Sequence, residues 1–388
     1  MKIISIVGAR PNFMKIAPFI RAIQQRAKGG TAIPIEHCLV HTGQHYDSSL
    51  SDDIFQELGI PAPDYNLEVG SGSHGYQVGQ TMIEFEKLLP KEKPDWVVVV
   101  GDVNATAACS IVARKAGIKV AHIEAGLRSF DWEMPEEINR VVTDRISNLL
   151  LTTDSMADAN LLHEGIPATQ IQRVGNIMID TLQNECAAAR RLNFHEILSA
   201  STIDTKEKSL DFLPEGFTFV TLHRPSNVDI RETLTQLIVL LQRISEKLPI
   251  VFPVHPRTQA RLKEFGLWHQ LANSERFILT QPLSYRALLK LNMLAKVALT
   301  DSGGIQEEAL ILGTPCLTLR WNTERPITLI EHGGTNRLVG NNPEKIWSNF
   351  LHTLTEPRRP TIPDLWDGHT AERIVTTILR FNDSHNIP

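Results

Sequence analysis

Cysteine is scarce in this 388-residue chain: Cys38, Cys109, Cys186 and Cys316 are the only four, and no two form a C-x-x-C pair. That spacing excludes a zinc ribbon and does not make a disulfide framework, so a reducing, cytoplasmic setting is the expectation. An excess of basic charge is missing too. With 39 Lys and Arg against 44 Asp and Glu, the formal charge is −5, which excludes the broad electrostatic footprint of a nucleic-acid binder. No apolar run approaches the ~20 residues of a membrane span; the best is Trp96–Val100. The opening MKIISIVGAR enters a strand-like run directly, without the apolar core and small-residue cleavage site of a signal peptide. The first strand is followed by neither G-x-G-x-x-G nor G-x-x-x-x-G-K-[ST], so no dinucleotide or Walker-type site is expected there. Metal-ligand spacing is also lacking: His37, His41 and His45 straddle a strand and a Gly-containing loop, and no H-E-x-x-H occurs. The expectation is therefore an enzyme without metal or other cofactor.

What is present is alternation. Short apolar, β-branched runs (Ile3–Val7, Trp96–Val100, Val120–Ile123, Phe217–Leu222, Ile250–Val254, Val297–Thr300, Pro315–Leu319) are separated by segments of helical period, such as Phe13–Arg26, Ala105–Ala116, Arg231–Lys247 and Gly304–Leu312. This rhythm predicts βαβ units and parallel sheets covered on both faces. The length favours two domains. A polar stretch from Leu192 to Gly216 breaks the rhythm and suggests the boundary. The fold class expected is α/β, with two Rossmann-like doubly wound domains, 1–182 and 183–364, facing across a cleft. A helix at 365–382 is expected to pack back on the first domain.

In open α/β sheets the chemistry collects beyond the carboxyl ends of strands. The first strand ends in Gly8-Ala9-Arg10-Pro11, with Lys15 about one helical turn on; Arg10 and Lys15 there make an anion cradle. Trp96–Val100 ends in Gly101-Asp102, and Val120–Ile123 ends in Glu124-Ala125-Gly126-Leu127-Arg128. Two carboxylates on neighbouring strand ends are expected to crowd each other and suit acid–base work. Asp102 also stands where a helix N-cap would. The string His122-Ile123-Glu124 looks like the H-x-E of zinc deaminases, but Pro315-Cys316 has no second cysteine to complete it. Next, Met134-Pro135-Glu136-Glu137-Ile138-Asn139-Arg140 opens a helix with two acids in its first turn, and Thr143-Asp144-Arg145 continues its polar face.

The second half repeats the pattern. His223-Arg224 follows one strand and His255-Pro256-Arg257 the next; two histidines at consecutive strand ends point to a site. Thr300-Asp301-Ser302-Gly303-Gly304 then joins a strand to a helix bearing Glu308. Glycines let peptide N–H groups approach a phosphate at the positive end of such a helix, and Ser302 adds a hydroxyl. Glu308 is expected to reach the ribose of a nucleotide. Arg320 and Thr323-Glu324-Arg325-Pro326 add further cation at this edge. Phosphate-binding groups in one half and acid–base groups in the other suit a nucleotide-linked substrate.

Taken in series, the segments GARPNFMKIAP, HTGQHYD, VVVVGDVNATAA, HIEAGLRS, MPEEINRVVTDRIS, VGNIMIDTL, TLHRPSN, PVHPRT, DSGGIQEEA and the TERP loop, spread over residues 3–340, resemble the non-hydrolysing UDP-N-acetylglucosamine 2-epimerases. The resemblance implies a two-domain fold of the kind shared with one class of glycosyltransferases (GT-B-like), and a cytoplasmic homodimer using neither NAD nor a metal. It implies inversion at C2 of UDP-N-acetylglucosamine, giving UDP-N-acetylmannosamine, by elimination and re-addition of UDP. The alternatives it leaves are a 2-epimerase of the 2,3-diacetamido-glucuronate type and a glycosyltransferase of the same fold. By motif, Asp102, Glu124, Glu137 and His223 would be catalytic, with His223 meeting the diphosphate. Arg10, Lys15, Arg224, His255 and Arg325 would bind substrate, Ser302, Gly303 and Gly304 the phosphates, and Glu308 the ribose. Two segments depart from the family's pattern: Pro282-Leu283-Ser284 before the uracil-side helix, and Ser71-Gly72-Ser73-His74-Gly75 where some members have an Arg-Gln pair, although Gln44 and His45 are present.

Overall fold

The computed structural model describes residues 1–28, 34–43, 54–203 and 216–384. They form two compact units: 1–181 with 363–388, and 182–362. The division falls inside the helix Ile177–Arg191.

Unit 1 holds seven parallel strands: β1 (Lys2–Val7), β2 (Glu36–His41), β3 (Tyr65–Asn66), β4 (Trp96–Val100), β5 (Lys119–Ala125), β6 (Leu149–Thr152) and β7 (Ile171–Arg173), in the order β3-β2-β1-β4-β5-β6-β7. Period-two alternation sends Ile4, Ile6, Val97 and Val99 to one face. There they meet Phe85, Leu88 and Leu89 of the helix His74–Glu92 and Ala105, Cys109 and Ala113 of the helix Asn104–Lys115. Small residues four apart let that second helix lie close on the sheet, which is the work of Cys109. Each fully buried Val, Leu or Ile on such a face contributes about 1.5–3 kcal/mol.

Unit 2 has six parallel strands, β8 (Thr218–Thr221), β9 (Ile250–Pro253), β10 (Phe277–Thr280), β11 (Val297–Thr300), β12 (Cys316–Thr318) and β13 (Asn336–Leu338), ordered β10-β9-β8-β11-β12-β13. One face packs Val220, Phe252 and Leu299 against Leu234, Leu237, Ile238 and Leu241 of the helix Arg231–Ser245. The other packs Phe219, Val251 and Ala298 against Ala287, Leu291 and Ala309. Both sheets are therefore doubly wound, with the order of strands reversing beside β1 and β4 in unit 1 and beside β8 and β11 in unit 2. Ligands of such sheets bind outside the carboxyl ends at that reversal.

One local expectation changes, and two local features are added. The last helix is Thr370–Ser384, not 365–382. Leu365 and Gly368 have φ of +61° and +82°, conformations a helix excludes, and the helix starts where the Asp180 carboxylate accepts from the N–H groups of Thr370 and Ala371 at 3.1 and 2.7 Å. Within the polar boundary stretch, Asn193 caps a short helix, Phe194–Ser201, by accepting from His195 and Glu196. A G-x-G-x-x-G string does occur at Gly70–Gly75, but it follows the two-residue edge strand β3, and Ser73 there caps the helix His74–Glu92.

Candidate active site

In unit 1 the groups beyond β1, β4 and β5 are joined to one another by hydrogen bonds and ion pairs. Asn12 accepts from the N–H groups of Gly8 and Ala9 at 3.2 and 3.1 Å and donates to the Val100 carbonyl at 2.9 Å, stapling the ends of β1 and β4. Arg10 is the first residue of the helix that follows β1, Arg10–Lys28. One turn on, buried Lys15 places Nζ 2.5 Å from Glu124 Oε2. Glu124 has φ +71°, at the point where the pairing of β5 with β6 slips between Ile123 and Ala125. Such a bulge re-aims a side chain at the rim of a sheet. Gly101, with φ +68°, leaves room for this pair: a Cβ there would lie 3.2 Å from Lys15 Nζ.

Asp102 does not cap the next helix. The capping position is Val103, with no side-chain bond, and the Asp102 carboxylate accepts from Arg140 instead. The same guanidinium reaches Glu137 at 2.6 Å. Glu137 is buried and also accepts from Ser129 N at 3.0 Å, Ser129 Oγ at 3.1 Å and Phe130 N at 2.9 Å. The expected crowding of acids thus becomes a set of matched pairs, Lys15 with Glu124 and Arg140 with both Asp102 and Glu137. Four of the 41–47 motif's residues, Gln44 and His45 among them, lie outside the described residues.

In unit 2 the organiser is Asp301, fully buried at the end of β11. It accepts from the N–H of His223 at 3.0 Å and of Arg224 at 2.9 Å, from Asn227 Nδ2 at 3.1 Å, and faces His223 Nδ1 at 2.9 Å. Burial alone would raise the Asp301 carboxyl, but the charge and hydrogen bond of His223, with the Arg224 and Asn227 donors, outweigh it and hold the group below the usual carboxylate range. The His223 and His255 rings stand 5.6 Å apart. His255 caps the helix Pro256–Glu264, its Nδ1 accepting from Arg257 N.

At the glycine turn, the Ser302 N–H is engaged by Thr300 Oγ1 at 3.0 Å, so Ser302 offers its hydroxyl and the peptide donors are those of Gly303 and Gly304. Both open the helix Gly303–Leu312, where N–H groups have no partner within the helix. Arg325 lies over this turn. Its Nε is 2.7 Å from Glu307 and it also pairs with Glu324, which Arg320 meets at 2.7 Å. A Cβ on Gly303 would come within 2.7 Å of Arg325 Nη1. Burial, assisted by nearby Glu307, pushes the Glu308 carboxyl up to about 7 against the hydrogen bond from Tyr285.

Sequence reasoning singled out the acids and Lys15 and passed over three polar residues that brace the strand ends and the glycine turn. Asn12 and Asp301 lie just past β1 and β11, and Gln306, which bonds Ser302, Thr323 and Asn336, lies in the helix 303–312; none of them carries a local chemical signature.

Two doubly wound units, one carrying paired carboxylates and the other a glycine turn at a helix N-terminus, make this an α/β protein of two Rossmann-like units. The profile of the UDP-N-acetylglucosamine 2-epimerase family matches residues 30–379, and the chain belongs to that family. It is 44% identical over 378 residues to the UDP-N-acetylglucosamine 2-epimerase of Methanocaldococcus jannaschii, covering 97% of this chain and 98% of that one. It is 38% identical to the UDP-2,3-diacetamido-2,3-dideoxy-D-glucuronate 2-epimerase of Pseudomonas aeruginosa, covering 88% of each. The crystal structure of the M. jannaschii UDP-GlcNAc 2-epimerase in complex with UDP-GlcNAc and UDP matches with a TM-score of 0.87 at 42% identity, over 98% of this chain and 100% of that one.

Proposed function

We propose that the chain is an isomerase that inverts C2 of UDP-N-acetylglucosamine reversibly, giving UDP-N-acetylmannosamine. The observation that carries this reading is the set of matched acids in unit 1, Lys15 with Glu124 and Asp102 and Glu137 on Arg140. Proton transfer at carbon needs carboxylates whose positions are fixed, and these are held by cations of the chain itself.

No carbonyl lies next to C2 to stabilise a carbanion, so the proton leaves together with the C1 substituent. One carboxylate takes the C2 proton as the C1–O bond breaks, its electron pair passing to the β-phosphate oxygen of UDP. A 2-acetamidoglucal remains beside UDP. The phosphate oxygen then re-adds at C1 while a second carboxylic acid delivers a proton to the other face of C2. In this reading Asp102, Glu124 and Glu137 supply the transfers, Lys15 helps hold the substrate, and Arg10 serves the departing diphosphate. The Ser302 hydroxyl and the Gly303 and Gly304 amides take the diphosphate, joined by His223, whose Nδ1 is committed to Asp301, and by Arg224 and His255. Arg325 adds positive charge over the turn, and Glu308 accepts from the ribose. The enzyme would work as a cytoplasmic homodimer without metal or NAD.

The test is NMR of UDP-N-acetylglucosamine with the protein in D₂O and no acceptor. UDP-N-acetylmannosamine carrying deuterium at C2 is expected. Product that keeps its C2 hydrogen would sink the elimination route, and turnover only with an acceptor would mark a glycosyltransferase. The Pseudomonas relative favours a second reading, the same inversion on a 2,3-diacetamido-glucuronate sugar; that UDP-sugar in the same assay decides between them.

A further inference from the structure

The acids of unit 1 stand on three separate segments: Asp102 on the turn after β4, Glu124 on β5 and Glu137 on the helix Pro135–Ile146. One buried histidine ties the three together. His122 precedes Glu124 by two residues on β5, and its ring reaches in two directions. Nδ1 is 2.6 Å from Asp144 Oδ1, and Nε2 is 2.8 Å from the Gly101 carbonyl oxygen. A carbonyl only accepts, so Nε2 donates to it. The other oxygen of Asp144 accepts from the Gly126 N–H at 3.0 Å and from Arg128 Nη1 at 2.7 Å; the Arg128 charge helps keep the group a carboxylate, so Nδ1 donates as well. His122 and Asp144 are both fully buried. Arg128 carries the network outward to Glu164, which it grips with both arms at 2.7 Å. Burial by itself would raise Asp144, but His122 and Arg128 outweigh it and keep the group below the usual carboxylate range.

These bonds determine where the acids sit. Gly101, in the left-handed region, is held by both of its peptide groups: its N–H donates to Ile123 O at 3.1 Å, and its carbonyl accepts from His122. Asp102 is the next residue, and its own carbonyl accepts from Asn139 of the 135–146 helix at 2.9 Å. Asp144 follows Arg140 by four residues and Glu137 by seven, on one face of that helix. The His122–Asp144 pair therefore pins the acid-bearing face of the helix to the acid-bearing end of β5 and, through Gly101, to the Asp102 turn.

We propose that His122, held as a double donor by Asp144, is the positioning residue that fixes Asp102, Glu124 and Glu137 relative to one another for proton transfer at C2. It touches no reacting atom. This rests on the epimerase reading above and extends it to residues that bind no substrate.

The experiment compares the full-length chain with His122→Gln and Asp144→Asn, with kcat and KM expressed per folded site counted by UDP titration. A displacement of about 1 Å at a reacting group costs about 100-fold in rate, so kcat should fall by that order while KM and UDP affinity stay close to the parent's. The fraction of turnovers that release free 2-acetamidoglucal and UDP should rise, because a misplaced acid returns the proton too slowly to trap the intermediate. A merely structural role would reduce the yield of folded protein and leave kcat and this partition per site unchanged; that result overturns the proposal. Should the buried variants fail to fold, Glu164→Gln at the exposed end of the network decides. A several-fold loss of kcat with KM unchanged and more released glycal supports the proposal, and parental kcat and partition overturn it. Failure of the unaltered chain to place deuterium at C2 would overturn the epimerase reading instead.

Discussion

At the scale of single residues, the molecule spends few charges on the surface of its candidate sites and many inside them. Glu308 shows the consequence most directly. Its carboxyl is raised from 4.5 to about 7, first by burial, so the folded chain keeps a proton there that the unfolded chain has lost. Stability must then fall as pH rises from about 4.5 to about 7, with the full cost present above that. Glu308→Gln carries no charge to bury and keeps an oxygen for the Tyr285 hydroxyl. It should match the parent near pH 4.5 and exceed its stability by on the order of 3 kcal/mol above pH 7. Urea midpoints at about pH 5 and about pH 8 check this; a difference independent of pH would remove the buried charge as its cause. Asp301 is the opposite case. With its pKa lowered, its contribution is present above the ordinary Asp value and is lost only as pH falls through the lowered one.

Elements set what those residues can do. The joint from β11 through Ser302-Gly303-Gly304 into the 303–312 helix has two reasons for glycine at Gly303. A phosphate needs close approach to the peptide N–H, and Arg325 already occupies the space a side chain would take, at 2.7 Å from an added Cβ. Gly303→Val should therefore displace the Arg325 guanidinium and abolish UDP binding in a chain that still folds. Calorimetry measures it, and undiminished UDP affinity in the folded variant would rule out the turn as the diphosphate site. The bulge at Glu124 is the comparable device in unit 1, where a left-handed non-glycine residue aims a carboxylate that a regular strand would point elsewhere.

For the whole molecule, the repetition of one strand order in both sheets is the dominant fact. Each unit has its own core, and among the described residues no helix is long and apolar enough to cross a membrane. A ligand that binds only the folded state adds RT ln(1 + [L]/Kd), about 2.7 kcal/mol at a hundredfold excess over Kd. UDP should raise the unfolding midpoint accordingly, and hydrogen exchange should slow first at the amides opening the 303–312 helix. Protection confined to unit 1 would contradict the assignment of the phosphate turn to unit 2.

Period and punctuation made the strands β4 and β11 readable to the residue, because each is a short, uniformly buried run closed by a polar or glycine turn at its carboxyl end. Edge and leucine-rich strands were harder: β6 reads Leu149-Leu150-Leu151-Thr152, a string a helix accepts equally well, and only its place beside β5 makes it a strand. The candidate acids and the glycine turn were legible for a related reason, since strand ends in such folds are where polar residues have to be explained. Their partners were not. Lys15 meets Glu124 across 109 residues and His223 meets Asp301 across 78, and no local pattern encodes a pairing at that distance. The sequence by itself determined which side chains stand at the ends of the strands; the tertiary structure decided which of them share a proton, a charge or a guanidinium, because burial makes an unpaired charge too costly to keep.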